Sequence, residues 1–243
     1  KNTFPFEPTL KQTIVLQQLA DYIFDTSPSG LYVLKGFAGT GKTTIIGTIV
    51  TNLWKAKKNA VLMAPTGRAA KVIANYSGKE AFTIHKKIYT ARYSNSGKMS
   101  FVLAPNKHKK TIFIVDEASM ISDIPSQSSL FGSGSLLDDL MQYVYSGHQC
   151  KLLLIGDTAQ LPPVKLDLSP ALDENALSLS YNKEVTRMEL DEVVRQEQDS
   201  GILENATQLR EVLQDGFYES FTFNLGNYKD IVRLVDGHEI MDA

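Results

Sequence analysis

Four short runs of this chain are apolar almost without a break: Leu31–Lys35, Ala60–Ala64, Thr111–Val115 and Lys151–Ile155. Runs of this length suit strands buried on both faces rather than strands with one wet side. A fifth run, Thr186–Leu190, is weaker because polar residues interrupt it. Between them, at Leu10–Phe24, Thr44–Lys55, Arg68–Tyr76 and Leu136–Tyr145, the patterns are helical. Strands alternating with helices predict an α/β fold: a parallel sheet with helices on both faces. Ligand chemistry in such a sheet belongs at the carboxyl ends of the strands.

Two segments break the rhythm. Lys86–Lys110 reads as a small β-hairpin insertion turning at Ser94–Gly97 between two aromatic, β-prone arms. Ser122–Ser135 is rich in Ser and Gly, which predicts a flexible loop. There is no internal repeat. Beyond residue 200, Gly201–Leu213 has a helical pattern, and the acidic stretch Gln214–Ala243 has little pattern at all.

Composition narrows the classes. Of 243 residues, 43% are hydrophobic and 21% charged, enough for a real core. The net charge of −2 provides no global basic field, so any nucleic-acid site must be local. The single cysteine, Cys150, excludes an internal disulfide framework and predicts a packed thiol in a reducing cytoplasm. No signal peptide or apolar run of membrane-spanning length occurs, which predicts no membrane partner. The chain starts at Lys1, which predicts a fragment or a processed form.

The chemistry begins where the first apolar run ends. Gly36-Phe-Ala38-Gly39-Thr40-Gly41-Lys42-Thr43 fits G-x-x-x-x-G-K-[ST] at every fixed position, after a strand pattern and before a helical one. Chance would align the fixed positions in a chain of this length on the order of once in a hundred chains. Such a loop wraps phosphates with inward N–H groups, helped by the helix N-terminus. Lys42 would reach the β- and γ-phosphates of ATP, Thr43 would ligate Mg²⁺, and Thr44 would continue the cradle. The third run ends in Asp116-Glu117, where the first carboxylate suits Mg²⁺ and the second the attacking water. The fourth ends in Gly156-Asp-Thr-Ala-Gln160-Leu-Pro-Pro-Val164, placing the amide of Gln160 near the γ-phosphate. Lys86–Lys110 carries seven Lys/Arg and no acid, interleaved with Tyr89, Tyr93 and Phe101, a composition suited to a groove that tracks a single strand. A solvated charged loop with packed aromatics is the plain alternative.

Taken in order, these motifs, with Ala64-Pro65-Thr66-Gly-Arg-Ala-Ala70, Thr83-Ile-His85 and Leu190-Asp-Glu-Val-Val-Arg195-Gln196, resemble superfamily-one DNA helicases. The likeness is to the 5′→3′ branch that contains RecD and Dda, and it covers roughly Thr9 to Arg210. It implies a RecA-like P-loop lobe at 1–85 and 111–190, a strand-separating pin at 86–110, and a connector at 191–243 that begins a second lobe. It implies that Pro65, Thr66, Thr83 and His85 touch single-stranded DNA. Tyr93 and Phe101 would meet bases at a duplex junction. Arg195 would contact the γ-phosphate and complete a catalytic set with Lys42, Asp116, Glu117 and Gln160. Gln12 would read the adenine edge; yet Thr9-Leu-Lys-Gln12 is also a helix-capping box, and both readings stand. Second-lobe motifs are missing before Ala243, so the chain reads as the N-terminal part of a helicase acting with recombination or repair subunits, weak in hydrolysis alone. A P-loop ATPase without unwinding activity and a nucleotide-dependent DNA-binding module are the competing readings, and RNA is a possible track.

Overall fold

Every residue of Gly30–Gly36, Thr111–Val115 and Lys151–Gly156 is buried, so each of these strands needs cover on both sides. Alternation of side chains divides that need between two faces. Leu31 and Val33 point into one apolar cluster, and Tyr32 and Leu34 point into another. A computed structural model, which describes residues 4–93, 97–124, 130–192, 194, 200–215, 221–226 and 228–232, shows how the helices meet it.

The elements run α1 (Leu10–Phe24), β1 (Gly30–Gly36), α2 (Lys42–Leu53), β2 (Asn59–Ala64), α3 (Gly67–Ser77), β3 (Ala81–Thr83), α4 (Ile84–Ile88), β4 (Tyr89–Tyr93), β5 (Met99–Leu103), β6 (Thr111–Val115), α5 (Leu136–Tyr145), β7 (Lys151–Gly156), α6 (Glu174–Tyr181), β8 (Glu184–Leu190) and α7 (Gly201–Asp215). The main sheet is parallel throughout, in the order β3-β2-β6-β7-β1-β8. Val15, Leu19, Ile45, Ile49 and Ile73 bring α1, α2 and α3 onto one face. Ile84, Ile88, Leu140, Val144 and Leu177 bring α4, α5 and α6 onto the other. This is the doubly covered α/β sheet that the apolar runs predict.

Local chemistry sets the element ends. α1 opens with a full capping box: the Thr9 hydroxyl accepts from the Gln12 N–H, and the Gln12 side chain accepts from the Thr9 N–H. α3 is capped by Thr66 and stops at Gly78, whose φ of 63° lies in the left-handed region that favours glycine. Two elements lie outside the expected pattern. β3 is three residues long and pairs only with β2, and α6 is a short helix with one buried residue, Leu177. The hairpin proper is β4 paired antiparallel with β5, while Lys86 and Lys87 lie on α4. Most of its expected turn, residues 94–96, is outside the described residues. Cys150 is buried. Among the described residues no helix is long and apolar enough to cross a membrane.

The chain divides into two compact units, residues 1–194 and 195–243. In the second, Asp230 closes the N-terminus of α7 by accepting from the Gly201 N–H at 2.9 Å, and the Asn205 amide donates to the Asn224 carbonyl at 2.7 Å.

Candidate active site

Parallel register brings the motifs to one edge. Lys35 of β1 lies opposite Gly156 of β7, and Val115 of β6 lies opposite Leu154 of β7. The phosphate-loop sequence, the Asp157–Gln160 turn and the Asp116-Glu117 pair therefore leave neighbouring strand ends together.

The loop is shaped by glycine. Gly39 and Gly41 have φ of 81° and 90°, in the left-handed region. At Gly41 a side chain would also meet Gln12 Nε2 at 2.5 Å. That amide donates to the Thr40 carbonyl at 3.0 Å, while its oxygen is held by the capping box. Gln12, only 2% exposed, thus ties α1 to the loop. The Thr40 hydroxyl donates to the Phe37 carbonyl at 2.8 Å, and Ala38 lies within the same turn. Lys42 folds back onto the loop, its ammonium donating to the carbonyls of Gly36 at 2.5 Å and Phe37 at 2.8 Å. Thr43 and Thr44 follow it in the first turn of α2.

The carboxylates sit on a strained turn. Glu117 has a φ of 56°, a left-handed conformation that costs a residue with a Cβ on the order of 1 kcal/mol or more. Its N–H donates to Asp116 Oδ1 at 3.0 Å. Burial, with the Glu117 charge beside it, pushes the Asp116 carboxyl up to about 6, against the opposing pull of the Glu117 N–H and Lys42. A buried acid that resists ionisation beside a second acid needs more positive charge than Lys42 supplies. That is the environment a divalent cation corrects. The Thr43 hydroxyl and the Asp116 carboxyl are hard oxygen donors of the kind that suit Mg²⁺, a cation held by few protein ligands plus phosphate and water. Gln160 is held in place by the buried Ser119, whose hydroxyl donates to its Oε1 at 2.9 Å.

Asp116, Glu117 and Gln160 open into one cavity of about 510 Å³, with Thr66, Arg68, Ala69, Val72 and Met120. Arg68 is the member that the sequence patterns passed over. It is the one cation among these lining residues, and its place in the Pro-Thr-Gly-Arg motif is the signal that could have found it.

The remaining expected residues divide by surroundings. Pro65 and Thr66 lie at the turn after β2, and Thr66 caps α3 by accepting from the Ala69 N–H at 3.2 Å. Thr83 caps α4 in the same way, accepting from Lys86 N–H at 3.2 Å. His85 is packed: its ring meets Phe131 edge-on at 5.2 Å, and burial lowers its basicity. Phe101 stacks on Phe131 at 4.6 Å, so one face of its ring is already covered, whereas Tyr93 is 69% exposed. Arg195 lies outside the described residues.

With this geometry in place, comparison with known proteins gives the lineage. A family model described as an AAA domain matches residues 12–220. The ATP-dependent RecD2 DNA helicase of Deinococcus radiodurans is 33% identical over 158 residues, covering 65% of this chain and 19% of that protein. The ATP-dependent DNA helicase dda of Enterobacteria phage T4 is 31% identical over 181 residues, covering 73% of this chain and 37% of that protein. The chain thus spans well under half the length of these relatives. The fold is also that of the Pif1 helicase of Candida albicans, with a TM-score of 0.53 at 22% identity over 84% of this chain and 44% of that one. Family match and fold agree: the chain belongs to the AAA-domain family, and over the matched span it is similar to the RecD2 and dda helicases.

Proposed function

We propose that this chain is the first motor lobe of an ATP-dependent DNA helicase, with the DNA track at the strand ends that lead into α3 and α4 and along the basic hairpin. The observation that carries the reading is the convergence of the Lys42 loop, the Asp116-Glu117 turn and Gln160 on neighbouring strand ends of one parallel sheet. In this reading residues 1–85 and 111–190 form the ATPase lobe, 86–110 the pin insertion and 191–243 the connector toward a second lobe.

Each residue then has a defined task. Lys42 exchanges its loop carbonyl partners for the β- and γ-phosphate oxygens, so the loop closes on ATP as the lysine leaves it. Thr43 and Asp116 hold Mg²⁺, which when bound neutralises charge developing on the phosphates. Glu117 accepts the proton of the attacking water. Gln160, steadied by Ser119, orients that water or senses the γ-phosphate. Arg195 adds a positive contact to the γ-phosphate, and an arginine from a second lobe completes the cleft. On the DNA side, Pro65, Thr66, Thr83 and His85 bear on the strand, and Tyr93 offers an open ring for stacking. Movement in the 5′→3′ direction, a role in recombination or repair, and a cytoplasmic setting follow the motif resemblance alone and belong to the same proposal.

The test is ATP hydrolysis, with and without single-stranded DNA, by a longer protein that contains this chain, beside the chain alone and the Glu117→Gln variant. DNA should stimulate the longer protein strongly and the chain hardly at all. Glu117→Gln should keep ATP binding and lose about a hundredfold or more in turnover. A well-folded longer protein that DNA does not stimulate would be a P-loop ATPase with another client, and the helicase proposal would fail.

A further inference from the structure

Asp139 has no part in the ATP chemistry, yet it is one of the most deeply buried acids of the chain, at 1% exposure. None of the ion pairs among the described residues includes it. A buried carboxylate without a cation must be satisfied by hydrogen bonds. Its donors come from β4, 50 residues away in sequence, and from the loop just before α5. The Tyr89 hydroxyl donates to Oδ2 at 2.6 Å, and the Ser133 N–H reaches both oxygens at 3.0 and 3.2 Å. Tyr89 is the first residue of β4, so the acid on α5 grips the base of the hairpin.

The loop held by the same carboxylate grips the other arm. The Phe101 N–H donates to the Leu130 carbonyl at 2.8 Å, and the Gly132 N–H donates back to the Phe101 carbonyl at 2.8 Å. The Phe101 and Phe131 rings stack at 4.6 Å with 13° between planes, and the rings of Tyr89 and His85 close around Phe131 at 5.3 and 5.2 Å. Gly132 has a φ of 41°, and a Cβ there would drive into the Asp139 carboxylate and come within 2.9 Å of Tyr89 Cε1. The loop that composition predicts to be flexible is, over residues 130–135, fitted closely to this spot.

A two-stranded hairpin is marginal in water by itself. Rigidity has to come from outside it. We infer that Asp139 and Phe131–Ser133 form a brace that fixes the basic hairpin on the ATPase core, and that strand separation depends on this brace while ATP hydrolysis does not. The second half rests on the helicase reading; the first half is independent of it. The brace also places His85, a residue assigned to the DNA track, in the same aromatic cluster as the hairpin. Strand contact and wedge then move as one body. Asp139 and Phe131 are positioning residues, since they act through the hairpin and touch neither ATP nor DNA.

The experiment compares wild type with Asp139→Asn, Phe131→Ala and the conservative Phe131→Tyr. Amide exchange on this chain is read first. Asp139→Asn and Phe131→Ala should speed exchange of the ladder amides of 89–93 and 99–103 by about tenfold or more, with β1 and β7 unchanged and Phe131→Tyr near wild type. In a longer protein containing the chain, the first two variants should lose about tenfold in unwinding rate while DNA-stimulated hydrolysis stays within about twofold. Unchanged hairpin exchange in both variants would overturn the brace, as would faster exchange spread evenly over the whole sheet. Equal losses of unwinding and hydrolysis would overturn the uncoupling. A wild-type protein that hydrolyses ATP on DNA and separates no strands would sink the helicase reading and the uncoupling with it, while the exchange rates still decide the brace.

Discussion

Asp116 is where burial and charge conflict most sharply. Its carboxyl is pushed from 3.8 up to about 6, first by burial and then by Glu117. An acid whose folded pKa is raised favours folding in its protonated form. The stability it contributes is complete below about pH 3.8 and lost as the pH rises through about 6. Without nucleotide, wild-type stability should therefore carry a downward slope across that window. Asp116→Asn should remove the slope and make the protein more stable at pH 8, by roughly 1–3 kcal/mol. Denaturant melts at pH 4, 6 and 8 check this; a variant no more stable than wild type at pH 8 would mean that Asp116 is not strained when ionised. Glu117 shows a second kind of cost, a left-handed backbone at the residue assigned to the water. Neither cost is legible in the letters Asp-Glu. The sequence shows which side chains gather at the strand end, while their strain depends on how closely β6 and β7 pack: a Cβ at Gly156 would lie only 3.0 Å from the Ser119 nitrogen.

At the scale of elements, the pattern is readable wherever one periodicity dominates. α1 keeps its expected limits because a capping box starts it and its buried residues recur at helical spacing; β1, β6 and β7 are clear because they are buried on both faces. β3 is too short for any period to register, and α6 buries too little to show a face. Asp139 was invisible for another reason: an acid in the first turn of an amphipathic helix reads as a solvated residue, and only the fold brings Tyr89 to it. Gln12 is the element-scale case that experiment can divide. Its amide closes the α1 cap and also holds the Thr40 carbonyl, so removing it should loosen the phosphate loop whatever base is bound. Gln12→Ala should weaken ATP and GTP binding alike, by roughly three- to tenfold each, the worth of about one buried hydrogen bond. Loss confined to ATP, measured by calorimetry, would instead favour the adenine-reading role.

For the whole molecule, the decisive connection is the one between the phosphate loop and the segment that leaves the first unit. The Phe37 N–H donates to the Leu190 carbonyl at 3.3 Å, the Val194 N–H donates to the Gly39 carbonyl at 3.0 Å, and Lys11 pairs with Asp191. At Gly36 a side chain would lie 3.0 Å from the Leu190 carbonyl, so the exit of β8 packs directly on the loop. The boundary between the two units falls immediately after Val194. A loop that binds phosphate is stabilised against opening by RT ln(1 + [L]/Kd), a factor of about 100 at a hundredfold excess over Kd. If the Val194–Gly39 bond opens only when the loop opens, the Val194 amide inherits that factor. We therefore expect a saturating non-hydrolysable ATP analogue to slow Val194 amide exchange by roughly tenfold or more, while amides in the middle of β7 keep their rates. Slowing would mean that nucleotide state reaches the chain at the point where it enters the second unit, through one backbone hydrogen bond. An unchanged Val194 rate at saturation would mean that the segment leaving β8 opens independently of the loop, and that this hydrogen bond carries no signal of nucleotide state.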